Sequence, residues 1–302
     1  EPRGIEAGYK WPQFSIHRGT LHQILLDAVV ERLGADNLLN SHHVTSFTDS
    51  PEGVSANFID KATGKDVGTY DGSLLIAADG SHSAIRARLY PDEGPPIWNG
   101  RILWRGITES DAFLSGRTMI MAGHEVLKFV CYPISNAPLP NGKFRINWIA
   151  ERLLPPTYSW RREDYNRAAK LDEFLPWFED WTFDWLDVPG LIRNCAHAYE
   201  YPLVDRDPID RWTFGNITLM GDAAHPMYPI GSNGASQVIL DARVLTREIL
   251  KHGETATALQ AYEAERRPAT TELVKLNRRN GPEQVMQLVE ERAPNGFNVV
   301  TE

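Results

Sequence analysis

Apolar positions recur every three to four residues from Arg18 to Leu33, where Leu21, Ile24, Leu25, Ala28, Val29 and Leu33 form one stripe. That period predicts an amphipathic helix, with Gly34 as its stop. Shorter β-like runs follow at His43 to Phe47, Val54 to Ile59 and Asp66 to Tyr70, and Asn57 to Gly68 predicts a hairpin turning at Thr63-Gly64. Leu74 to Ala78 is an unbroken apolar run, which fits a strand buried on both faces of a sheet. It ends in Asp79-Gly80, and a helix is expected from about His82.

The pattern changes after Gly94-Pro95-Pro96. Strands are predicted at Ile102 to Ile107, Arg117 to Ala122, Val126 to Pro133 and Lys143 to Ala150, the last preceded by an Asn141-Gly142 turn signal. Arg161 to Pro189 reads as short helices crowded with aromatic residues, and His197 to Pro202 as a further strand. Asn216 to Met220 is again a short apolar strand, ending in Gly221-Asp222. Helices are expected at about Gly234 to His252, Ala256 to Leu276 and Pro282 to Arg292. Two buried strands with helices, separated by an antiparallel, aromatic-rich segment, predict an α/β protein of the two-domain oxidoreductase kind.

Composition narrows the partners. The 302 residues carry 31 Lys and Arg against 40 Asp and Glu, a net charge of −9. That balance argues against nucleic acid as a partner. No apolar run approaches the roughly 18 residues of a membrane span. Cys131 and Cys195 make no disulfide framework, so a reduced, cytoplasmic setting is expected. No metal-ligand spacing occurs, since His42 and His43 are adjacent rather than one helical turn apart.

The chemistry concentrates in two runs. Gly221-Asp222 lies at the carboxyl end of a buried strand, where ligands of α/β sheets bind. Gly221 allows close backbone approach, and Asp222 offers a carboxylate to a ligand hydroxyl. Gly231 and Gly234 then lead into a helix whose free amides suit an anion or an electron-rich ring. The second run, Asp79-Gly80-Ser81-His82-Ser83-Ala84-Ile85-Arg86, repeats the strand–turn–helix arrangement, with Ser81 or Ser83 as helix cap.

On these residues the chain resembles the class A flavoprotein monooxygenases, the aromatic hydroxylases of the p-hydroxybenzoate hydroxylase type. Asp79-Gly80 with Arg86 matches their Asp-Gly motif, and Gly221-Asp222 through Pro226 their Gly-Asp motif. Arg18 with Leu21 and Leu25 is similar to their Arg-x-x-Leu helix, and Ala258 to Pro268 to their C-terminal helix. Ile102-Leu-Trp104-Arg105-Gly106 and Tyr228 to Gln237 bring the likeness nearest to the phenazine-modifying branch.

The resemblance implies an FAD-binding doubly wound fold with an inserted antiparallel β-sheet substrate domain and C-terminal helices. The segments would be 1–97, 98–212 and 213–302. It implies FAD, with NADH or NADPH as co-substrate and a flavin hydroperoxide that hydroxylates a small aromatic or heteroaromatic ring. Arg18, Asp79, Gly221, Asp222, Pro229, Gly231, Gly234 and Ala235 would meet the cofactor. Trp104, Tyr201 and Tyr228 would wall the substrate pocket, among further aromatic residues Phe129, Tyr132 and Trp148, and His225 could exchange a proton. No residue is assigned a certain catalytic role, and a homodimer is one open option for assembly.

The family's opening Gly-x-Gly-x-x-Gly unit does not occur, and Glu1 corresponds to a point well inside the family's first domain, so a truncated chain is the expectation. The halogenase Gly-x-Trp-x-Trp-x-x-Pro pattern is absent too. A relative that binds an aromatic ligand without flavin is the alternative.

Overall fold

The computed structural model describes residues 3–158, 167–279 and 284–292. Helix α1 (Arg18–Leu33) forms where the periodicity places it, but none of its residues is fully buried. Leu33 remains 63% exposed. A stripe identifies a face of a helix; burial needs a neighbour laid against it. Strands β1 (His43–Ser50), β2 (Gly53–Ile59) and β3 (Asp66–Gly72) make an antiparallel meander in that order. The predicted hairpin joins β2 to β3, its turn fastened by Asp60 Oδ1, which accepts from the Ala62 and Thr63 amides at 2.8 and 3.0 Å.

Strand β4 (Leu75–Ala77) leads to α2 (Ala84–Leu89), capped by Ser83, whose side chain accepts from the Arg86 amide at 2.9 Å. Four strands follow: β5 (Ile97–Ser110), β6 (Ile120–Gly123), β7 (Leu127–Pro133) and β8 (Phe144–Leu153). Of the Arg161 to Pro189 segment, residues 161–166 lie outside the described residues. The rest bears out short helices in part and adds a hairpin. It holds two short 3-10 turns, a two-stranded hairpin of β9 (Thr182–Phe183) and β10 (Leu186–Asp187), and the start of α3 (Val188–Arg193). The closely spaced aromatic rings pack against the sheet and one another rather than following one helical period. Strands β11 (Ala198–Asp205), β12 (Thr213–Phe214) and β13 (Ile217–Leu219) precede α4 (Gly234–His252), α5 (Ala256–Arg278) and α6 (Gln284–Arg292).

The chain forms two compact units. The first holds residues 3–38, the described part of 100–203, and 290–292; the second holds 39–99, 204–279 and 284–289.

In the second unit, β13 pairs with β12 antiparallel and with β4 parallel, setting Leu219 opposite Ala77. Strand β13 is wholly buried, whereas Ile76 of β4 is 39% exposed. The expectation that β4 is buried on both faces is thereby corrected: β4 is an edge strand, bonded within its sheet to β13 alone among the described residues. The core joins Ala77, Ile85, Trp212, Ile217 and Leu219 to Val244 and Leu245 of α4 and Leu259 and Tyr262 of α5. These helices form because apolar residues repeat at three- and four-residue spacing, with Thr255 capping α5 through the Ala258 amide and Gly253 ending α4 in positive φ.

In the first unit the five-stranded antiparallel sheet runs β11-β5-β8-β7-β6. Trp104 lies opposite Ala150 and Gly106 opposite Trp148. On this face Trp104, Phe129, Trp148 and Ala150 are buried beneath Phe174 and Phe178. Gly106 leaves the room that the Trp148 indole fills. The one polar atom of that indole is satisfied, Nε1 donating to Thr108 Oγ1 at 3.0 Å.

Candidate functional site

Both strand ends singled out by the sequence lie in the second unit, on the parallel neighbours β4 and β13. Their carboxylates behave differently. Asp79 Oδ2 accepts from the Ala84 amide at 2.8 Å, so this side chain closes the turn into α2. Asp222 is exposed and its carboxylate meets no partner among the described residues. Gly221, beside it, has φ +60, and an added Cβ would stand 3.1 Å from Val238 Cγ2. Only glycine takes that turn without strain.

Two buried side chains hold the Gly-Asp loop. Arg86 of α2 donates through Nη1 to the carbonyls of Ala223 and Ala224, both at 2.9 Å, while Nε and Nη2 engage Glu93. The Asp-Gly run therefore grips the Gly-Asp run physically. From the other side, Asp241 of α4 accepts from the Gly221 amide at 3.2 Å and lies 2.6 Å from His225 Nε2 and 2.7 Å from Arg266 Nε. Burial pushes the Asp241 carboxyl up, yet hydrogen bonds and charge from His225 and Arg266 outweigh it and leave its pKa below the ordinary carboxylate value. Arg266 is fixed in turn by Gln237 Oε1 at 2.6 Å. His225, considered for proton exchange, is 4% exposed, and its Nε2 lies against Asp241 Oδ2.

After the loop, Pro229 is exposed and Gly231 takes φ +77 in the turn that leads to α4. No side chain caps α4, and the amides of Gly234, Ala235 and Ser236 have no protein acceptor among the described residues. A Cβ on Gly234 would meet nothing within 4 Å. Among the described residues, the unpartnered Asp222 carboxylate and three unspent amides thus lie on the segments between β13 and the first turn of α4.

The expected pocket walls divide. Tyr228 is buried, its hydroxyl 3.4 Å from the Ile97 carbonyl and its own carbonyl accepting from Asn277 Nδ2 at 3.1 Å. It latches the second unit together, and burial raises its pKa. Trp104 is a correction: it stacks on Phe174 at 5.0 Å and 6°, inside the core of the first unit, because its position on β5 faces the sealed side of the sheet. Tyr201 occupies the other side, beside Arg105, half-buried. Arg18 opens α1 and is exposed. Among the described residues no group of His, Cys, Asp and Glu is placed to hold a metal, and no helix is long and apolar enough to cross a membrane.

A family profile described as FAD binding domain matches residues 12–95 and 204–277, the stretches that carry these strand ends. A phenazine 1,6-dicarboxylic acid hydroxylase of Lysobacter antibioticus is 44% identical over 281 residues, covering 92% of this chain and 69% of the relative. This chain belongs to the FAD-dependent aromatic monooxygenases. A 3-amino-4-hydroxybenzoate 2-monooxygenase of Streptomyces platensis is 31% identical, with 91% of this chain and 64% of that protein covered. Among solved structures, Klebsiella pneumoniae HpxO complexed with FAD and uric acid matches with TM-score 0.67 and 26% identity over 85% of this chain and 61% of that one. A salicylate hydroxylase substrate complex matches with TM-score 0.66 and 25% identity, covering 86% and 65%. The chain thus spans about two thirds of the length of the proteins it matches.

The family's cofactor fits what the second unit offers. FAD presents hydroxyls that an unpartnered carboxylate can accept from, and a ring edge that gains negative charge on reduction and suits helix N-terminal amides. Asp222 and the amides of Gly234 to Ser236 are the groups left over for those two tasks. Arg86, Asp241 and Arg266 are the site's supports. Arg86 and Arg266 appear in the motifs from sequence, but their partners do not; Asp241 gave no signal beyond a carboxylate on the buried stripe of an amphipathic helix.

Proposed function

We propose that this protein hydroxylates a small aromatic or heteroaromatic molecule, using FAD, molecular oxygen and NADH or NADPH. The observation that carries the reading is the loop after β13. Its backbone is braced from two sides by buried charges, while its carboxylate, Asp222, is exposed and has no partner among the described residues. A loop so heavily supported on one side and unsatisfied on the other is preorganised for a ligand.

Bound flavin supplies the electron transfer and the activation of oxygen. The protein's part is positional. Asp222 holds ligand hydroxyls, Gly221 and Gly231 let the backbone approach, and the α4 amides favour charge on the ring that faces them. Names of relatives that hydroxylate phenazine dicarboxylate and aminohydroxybenzoate support an aromatic substrate here. The free thiols Cys131 and Cys195 suit a reducing, cytoplasmic setting.

Titration of the purified protein with FAD, followed by flavin fluorescence, tests the cofactor. Oxidation of NADH or NADPH with phenazine-1,6-dicarboxylate, with mass analysis of the product, tests the reaction. Saturable flavin binding and a product one oxygen atom heavier are expected. A protein that takes the aromatic compound but no flavin would instead be a ligand-binding relative.

A further inference from the structure

The buried stripe of α5 carries one misfit. Leu259, Tyr262, Arg266, Thr270, Val274 and Asn277 follow one another at three- and four-residue spacing and are all buried. Arg266 is met by Asp241 and Gln237, and Thr270 donates to the Arg266 carbonyl at 3.0 Å. Asn277, 1% exposed, is met on one side only. Its Nδ2 donates to the Tyr228 carbonyl at 3.1 Å, whereas its Oδ1 is buried with no partner among the described residues. Turning the amide over does not help, because the Tyr228 carbonyl can only accept. A buried, unmet acceptor costs stability, and an apolar side chain is what such a stripe otherwise calls for.

The next residue acts on the other end of the same tyrosine. Arg278 donates through Nε and Nη2 to the two oxygens of buried Asp205 at 2.7 and 3.0 Å, and through Nη1 to Asp207 at 2.7 Å. Asp205 faces the Tyr228 hydroxyl. Burial raises its pKa, while the hydrogen bonds and charge of Arg278, and then the Tyr228 hydroxyl, pull it back. Two adjacent residues in the last turn of α5 thus hold Tyr228 at both ends. Pro229 is exposed between buried Tyr228 and buried Ile230, so the chain is anchored on each side of the proline. The turn that follows is strained. Gly231 takes φ +77 and Ser232 φ +55, with the Ser232 amide donating to the Pro229 carbonyl at 3.0 Å. A left-handed serine is costly and persists only where its surroundings fix it. Two features that cost stability therefore meet on one stretch, between the Gly-Asp loop and the free amides of α4. Such departures concentrate where backbone is held in place for a ligand.

We propose that Asn277 and Arg278 are positioning residues for cofactor binding: their clamp on Tyr228 fixes where Pro229 and the turn into α4 stand. This rests on the flavin reading above. Both side chains act through Tyr228 rather than by touching the ligand.

The test is titration of the full chain with FAD, followed by flavin fluorescence, with the visible circular dichroism of the bound flavin recorded at saturation. That band reports how the protein surrounds the ring, and a purely structural role leaves it unmoved in a folded variant. Asn277→Leu and Arg278→Lys are run beside the wild type, with thermal melting. Asn277→Leu removes one unmet buried acceptor and creates another, and it is expected to melt within about 4 °C of the wild type. It should bind FAD about fivefold more weakly, the size of one net hydrogen bond, and show an altered band. Arg278→Lys keeps a cation beside Asp205 but gives up the two-point contact, and should show the same changes to a smaller degree. If Asn277→Leu does not fold, Arg278→Lys carries the test. A wild-type band in every folded variant, whatever its affinity, overturns the positioning role and leaves the flavin reading standing. No saturable FAD binding by the wild type overturns that reading and this proposal with it.

Discussion

Asp79 and Asp222 stand at the ends of neighbouring parallel strands, each next to a glycine and each followed by a helix. Their environments diverge. Asp79 spends its carboxylate on the Ala84 amide, and its turn is complete within the protein. Asp222 is exposed and unpartnered among the described residues, while the backbone beside it is tied: Arg86 to the Ala223 and Ala224 carbonyls, Asp241 to the Gly221 amide. Similar local sequences thus serve different ends. One carboxylate closes a turn of the fold, and the other, on the reading proposed above, is left for a ligand. Stability and function are separable here because the supporting charges are buried and the presenting one is not.

That separation can be broken from behind. Asp241→Ala leaves the Arg266 guanidinium buried without its anion and removes the partner of the Gly221 amide and of His225 Nε2, and a loss of about 3–5 kcal/mol is expected in urea unfolding. A loss within experimental error would mean that the triad does not brace the loop. The same triad sets an acid limit. Because the folded Asp241 carboxyl titrates below its ordinary value of 3.8, its contribution is complete above that pH and is lost as pH falls through the lower folded value. The urea-midpoint gap between wild type and Asp241→Asn should therefore narrow on going from about pH 7 to about pH 3.

The next effect is steric. Gly221→Ala must hold φ +60 and crowd Val238, and about 1–2 kcal/mol of destabilisation is expected. A variant as stable as the wild type would show that the loop relaxes freely. Asp79→Ala removes one charge-assisted cap-like hydrogen bond and should cost about 1 kcal/mol. Asp222→Ala should change stability by no more than about 0.5 kcal/mol, as for an exposed group with no contacts.

Much of the fold could be read from the chain. The bounds of α1 and α4 coincide with the hydrophobic period and its stop signals, and Ser83 caps α2 as one of two hydroxyls foreseen. What periodicity could not supply was the identity of neighbours. The apolar stripe of α1 is real, yet nothing in its own residues tells how far it is covered. Alternation puts Trp104 and Arg105 on opposite faces of β5 without saying which face is sealed; the aromatic layer of Phe174 and Phe178 decides that. In the site, the glycines and Asp222 were legible because turns and exposed carboxylates have local signatures. Asp241 and the grip of Arg86 on residues more than a hundred positions away were not, since a buried ion pair is defined by tertiary contact alone.

The comparison comes down to one measurement: FAD affinity and melting temperature for Asp79→Ala and Asp222→Ala side by side. The account requires Asp222→Ala to melt with the wild type and bind flavin at least about tenfold more weakly, as loss of a charged hydrogen-bond acceptor implies. Asp79→Ala should melt earlier yet, where folded, bind flavin nearly as the wild type does. Flavin affinity unaltered by Asp222→Ala, or lost equally in both variants, would contradict it.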